Sequence, residues 1–121
     1  MYEQIKKIKE KTQDVLLQIG IPMNLSGSGY IVEAVCEGVR NPENVSSMTK
    51  NLYPFLAKTF NTNSMVVERA IRNAIAVSCD KGRLVQINKI FGVEIFLKNE
   101  RPYNSEFISL LVTKIPCLVN A

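Results

Sequence analysis

Asn61-Thr62-Asn63-Ser64-Met65-Val66-Val67-Glu68-Arg69-Ala70-Ile71-Arg72-Asn73-Ala74-Ile75-Ala76-Val77-Ser78-Cys79 contains the longest uninterrupted helical pattern of this 121-residue chain. Val67, Ala70, Ile71, Ala74, Ile75 and Ser78 recur at spacings of three and one, which lines one face of a helix with apolar and small side chains. Asn63 is the expected N-cap, its side chain accepting from a first-turn amide, and Lys81-Gly82 the expected end. With that stripe inward, Met65, Glu68, Arg69, Arg72, Asn73 and Ala76 face outward. Arg69 and Arg72, three apart, become neighbours on the exposed strip. A helix over residues 48–60 precedes, with Leu52, Phe55, Leu56 and Phe60 inward and Pro54 at a kink or in a first turn. Two helices around a short polar break spell a helix-turn-helix. An arginine fork on its second helix can read guanine O6 and N7 or clamp phosphate, and the amides of Ser64 and Met65 can add a phosphate contact. The other reading of the strip is a solvated face with a Glu68–Arg72 ion pair.

Outward from this segment the helical period persists. Ile5, Ile8, Val15, Leu16 and Ile19 mark a first helix stopped by Gly20 and Pro22. Asn24-Leu25-Ser26-Gly27-Ser28-Gly29 reads as a loop, followed by a helix over about 30–39 that buries Ile31, Ala34, Val35 and Cys36. Asn41-Pro42-Glu43 marks a turn or helix start. Residues 84–91 form a short helix up to Gly92, and 93–97 a loop or minor strand. A last helix, capped at Asn104 or Ser105, buries Phe107, Leu110, Leu111 and Ile115 and runs to Pro116. The expectation is one all-α domain of about six helices containing a helix-turn-helix.

Composition narrows the chemistry. At 46% hydrophobic and 21% charged residues the chain should fold as one domain. No apolar stretch approaches the roughly 20 residues of a membrane helix, and MYEQIKKIKEKTQD is too polar for a secretory signal. The absence of histidine removes Ser-His-Asp and Cys-His catalysis and His-ligated zinc. Cys36, Cys79 and Cys117 form no CxxC pair and read as reduced, mostly buried thiols of a cytoplasmic protein, with no cofactor. Ser26-Gly27-Ser28-Gly29 lacks the lysine of a phosphate cradle, and Glu33 and Glu37 read as a solvated face, so no enzyme is expected. The net charge of +4 concentrates in residues 41–83, where Lys50, Lys58, Arg69, Arg72, Lys81 and Arg83 face only Glu43, Glu68 and Asp80. Such a balance permits a polyanion partner.

The strings Ile19-Gly20-Ile21-Pro22, Thr49-Lys50-Asn51-Leu52-Tyr53-Pro54, Ala57-Lys58-Thr59-Phe60-Asn61-Thr62, Val67-Glu68-Arg69-Ala70-Ile71-Arg72-Asn73-Ala74-Ile75 and Pro102-Tyr103-Asn104-Ser105-Glu106-Phe107-Ile108 carry a resemblance. In order and spacing they resemble the C-terminal effector domains of the stage-zero sporulation protein A family, response regulators that commit spore-forming bacteria to sporulation. The resemblance spans about residues 15–115. It implies a six-helix domain whose fourth helix enters the major groove of a short DNA box, with tandem sites bound by a homodimer and RNA polymerase as a further partner. Carried across, Glu68, Arg69 and Arg72 match recognition-helix positions. Asn24, Leu25 and Ser26 occupy a phosphate-contacting loop, and Arg101 stands where the family has lysine.

Departures from the family pattern bear on specificity. Met65 and Val66 replace a serine and a base-reading arginine, Asn73 replaces a histidine, and Ser26 the lysine of the early loop. Losing one bidentate arginine removes about 1–3 kcal/mol of base discrimination, and Val66 offers only apolar contact, for example to a thymine methyl. The family's box sequence is therefore not expected to carry over. Its receiver domain has no counterpart before Val15. Residues 1–14 read as a lead helix, either of a fragment of a longer response regulator or of a stand-alone chain, with Ile5 and Ile8 packing on a domain at 15–121 or extending a dimer contact. Two functions stand. The first is a sequence-specific transcription regulator that turns Met65, Val66, Glu68, Arg69, Arg72 and Asn73 toward the bases of double-stranded DNA. Asn24, Leu25, Ser26, Lys50, Ser64, Lys81, Arg83 and Arg101 then face its phosphates. The second is a protein-interaction module built on the same fold with a degenerate reading surface.

Overall fold

The stripe at 67–78 is buried where its spacing places it: Val67, Ile71, Ala74, Ile75 and Ser78 have no solvent exposure, and Ala70 packs at the edge. Asn63 caps this helix, its side-chain oxygen accepting the Val66 N–H at 3.0 Å. The computed structural model describes residues 2–120. Its elements are α1 (Tyr2–Gln18), α2 (Ser26–Arg40), a 3₁₀ turn (Pro42–Asn44), a π-helical turn (Met48–Leu52) leading into α3 (Tyr53–Thr59), α4 (Ser64–Asp80), α5 (Gln86–Phe91) and α6 (Asn104–Val119). Met1 and Ala121, the outer ends of the expected lead segment and domain, lie outside the described residues. No strand occurs among the described residues, so 93–97 is a loop. Asn88 holds it, its Oδ1 accepting the Ile95 and Phe96 amides while its Nδ2 donates to the Phe96 carbonyl.

α2 is the central element and packs on α1, α4 and α6. It starts at Ser26, four residues before the expected start, because its glycines serve packing and not a loop. A Cβ at Gly27 would lie 2.2 Å from the Ala70 carbonyl oxygen, and one at Gly38 2.5 Å from a Val112 methyl, so both let helices approach closely. Ser26, expected in a loop, is therefore the first helical residue.

α3 ends in a Schellman motif. The Thr62 N–H reaches the Ala57 carbonyl at 2.8 Å, and Asn61 takes the left-handed position at φ +54°. That turn leaves Phe60 39% exposed, contrary to the expected inward position, with its ring edge-on to Tyr30 at 4.9 Å between centroids. Pro54 sits in the first turn of α3, where its missing N–H costs nothing in the ladder. Two expectations about α6 also change. Asn104 is its first helical residue and is buried, while the cap position is Tyr103, whose N–H donates to Glu106 Oε1 at 2.9 Å. The helix continues past Pro116 to Val119, and Ile108 joins the expected core residues.

α1 runs unbroken through residue 14, with Ile8, Val15 and Leu16 fully buried. Its end is tied to the far end of α4: Ser78 Oγ donates to the Ile19 carbonyl, Lys81 Nζ to that of Gly20 at 2.9 Å and Arg83 Nη2 to that of Gln18 at 2.6 Å. Cationic donors on the carbonyls of a helix C-terminus also oppose the negative end of its dipole.

Candidate nucleic-acid interface

The stripe that fixes α4 in the core also fixes what it turns outward. Met65 is 60% and Val66 44% exposed, and Arg69, Arg72 and Asn73 are exposed beyond them. Glu68 and Arg72 form the i,i+4 ion pair at 3.0 Å, so the solvated-face reading describes this pair correctly. Arg69 forms no ion pair among the described residues, is exposed, and holds a position opposite the buried stripe of the helix.

Beside this face lies an open cleft of about 560 Å³, walled by Thr49, Glu68, Arg72, Arg101 and Tyr103, with Tyr53 and Asn104 at its base. Asn104 Nδ2 donates to Tyr53 Oη at 3.0 Å and to the Glu68 carbonyl at 3.1 Å, joining α3, α4 and α6 beneath the ion pair. Burial pushes the Tyr53 hydroxyl above its ordinary pKa, the Glu68 carboxylate adds to the shift, and the Asn104 bond opposes it. This buried support was not read from the sequence, where an asparagine at a helix start signals a cap.

A family model described as "Sporulation initiation factor Spo0A C terminal" matches residues 12–115. The chain belongs to this family. The Spo0A C-terminal domain is a DNA-binding domain of a sporulation regulator and not an enzymatic family, so the chain is a DNA-binding regulator in kind. Within the Spo0A match fall all of α4, its cleft and the last two turns of α1.

The other residues singled out in this Spo0A-type domain are spread over its surface. Gly27 against Ala70 brings the first turn of α2 beside the second turn of α4, so exposed Asn24 and Ser26 and half-buried Leu25 lie beside α4. Leu25 holds the N-cap position of α2 with no side-chain bond, which leaves first-turn amides without a side-chain partner. Lys50 is exposed on the π-helical turn, and Ser64 opens α4. Arg101 borders the cleft and pairs with Asp80 at 3.1 Å. Lys81 and Arg83 stand at the opposite end of α4, each spending a donor on α1.

Of the three thiols only Cys36 is fully buried. Cys79 is half-buried and Cys117 exposed, which corrects the expectation that most are buried. Cys117 lies on the last turn of α6 beyond Pro116, outside the expected helix. No group of three metal-ligating side chains occurs among the described residues, and none of their helices is long and apolar enough to cross a membrane.

Proposed function

We propose that α4 is the recognition helix of a sequence-specific transcription regulator and docks in the major groove of double-stranded DNA. Met65, Val66, Glu68, Arg69, Arg72 and Asn73 meet base edges. Asn24, Leu25, Ser26, Lys50, Ser64 and Arg101 meet phosphates, and Lys81 and Arg83 join them through the donors they do not spend on α1. One observation carries this reading: a capped 17-residue helix, buried along one side, presents at the centre of its exposed side an arginine with no ion pair among the described residues. Arg72 exchanges Glu68 for DNA on docking. The DNA-binding unit is residues 15–121, with 1–14 as a lead segment anchored to it by Ile8. A homodimer on tandem sites and a contact with RNA polymerase complete the reading. Selection of duplexes from a random pool tests it. An enriched sequence should bind with log K falling by about 0.9 per phosphate neutralised as log salt rises, and affinity weaker than about 10⁻⁴ M for every duplex at physiological salt refutes it.

A second reading rests on exposed apolar side chains, Met65 and Val66 in the first turn of α4 and Phe60 at the end of α3. In it the fold is a protein-interaction module with a degenerate DNA surface. A partner that stays bound through high salt, with no shift of any duplex, selects it.

A further inference from the structure

Met65 and Val66 stand four and three residues before Arg69, and on a helix both spacings are those of adjacent side chains. The 100° step between successive residues puts them on opposite flanks of Arg69, and both lie out in solvent at 60% and 44% exposure. A lone exposed valine needs no explanation. Two apolar side chains that bracket the helix's unpaired arginine, on the turn that enters a groove first, have a use that core packing does not supply.

Charge says what covers them. The first turn of α4 contains no acid, and its leading amides give the positive end of the helix dipole. Glu68, three residues after Met65, is paired with Arg72 at 3.0 Å, so the charge left beside the apolar pair is that of Arg69, which favours a polyanion. The one apolar group on the major-groove edges of DNA is the C5-methyl of thymine, which stands about a base step from a guanine's O6 and N7.

We infer that Met65 and Val66 read thymine methyl groups on either side of the base met by Arg69, so the target of this chain carries thymines there. The inference rests on the DNA-binding reading above and assigns the specificity of its first turn.

The test uses the full chain, a duplex selected from a random pool, and copies of that duplex in which single thymines become deoxyuridine. This change deletes the methyl and leaves the hydrogen-bonding edge and the phosphates intact. Arg69→Ala locates the base pair that Arg69 discriminates. Two deoxyuridine substitutions flanking that pair should each weaken binding about fourfold, the effect of one methyl-sized group leaving an apolar contact. Val66→Ala should abolish the effect at one position and Met65→Ala at the other, with unfolding transitions unchanged because both side chains are exposed. A selected duplex indifferent to every methyl, or a methyl effect that survives in both variants, overturns the inference while DNA docking stands. Failure to enrich any duplex overturns both, and a protein partner on the apolar pair is then the outcome.

Discussion

Glu68 and Arg72 hold each other at 3.0 Å on the face proposed to meet DNA, with side chains 31% and 59% exposed. An exposed i,i+4 pair contributes about 0.3–0.5 kcal/mol, so the fold does not depend on it. Glu68→Gln should lower stability by no more than about that amount and tighten binding to random duplex, because it removes a negative charge from the interface and frees Arg72. Unchanged or weaker random-duplex binding in a fluorescence titration contradicts this role. Two other groups give a pH dependence. Burial, aided by Glu33, pushes the Cys36 thiol above 9.0, and burial, aided by Glu68, pushes the Tyr53 hydroxyl above 10.0. In both cases the folded chain holds its proton more tightly than the unfolded chain does. Their stabilisation is complete at neutral pH and is lost as pH rises past the ordinary thiol and phenol values. Urea midpoints should therefore fall from about pH 9 upward, and Tyr53→Phe should flatten the decline above about pH 10.

At the scale of elements, Gly27 decides how closely α2 meets α4. Gly27→Ala places a methyl 2.2 Å from the Ala70 carbonyl oxygen, and backbone cannot yield as a flexible side chain does. The helices must separate, at a cost of about 1–3 kcal/mol, read as a lower thermal midpoint. The same residue explains the misread start of α2. Ser26-Gly27-Ser28-Gly29 has the local composition of a loop, and only the neighbouring Ala70, 43 positions away in sequence, makes helix with glycine the better solution. α4 was legible because its information is local: an apolar period, an asparagine cap and a glycine after the end. Phe60 and Asn104 were not. One was turned outward by the left-handed Asn61, the other drawn inward by Tyr53 and the Glu68 carbonyl, and neither partner is visible in the spacing of the residue it moves. The same holds for the candidate site. Its outward residues followed from the wheel, whereas the ties of Lys81 and Arg83 to α1 depend on where α1 ends in space.

In the whole molecule, Ile8 is fully buried although it precedes the family match at residues 12–115. Ile8→Ala should destabilise the chain by about 2–5 kcal/mol, as loss of a core aliphatic side chain does elsewhere. A change below about 0.5 kcal/mol in chemical denaturation means that the lead helix is an appendage. With α1 holding the far end of α4 through Ser78, Lys81 and Arg83, and α2 and α6 packed on its sides, the helix is presented as a rigid rod and not a mobile arm. Rigid presentation is what base readout requires, since side chains must meet base edges in one register. The most direct measurement compares the wild-type chain with Arg69→Ala on a selected duplex and on every single-base-pair variant of it. A base-reading Arg69 requires discrimination to collapse by about 1–3 kcal/mol at one base pair and to persist at the others. Equal affinities of the two proteins across the panel, or a uniform loss at every sequence, contradict it.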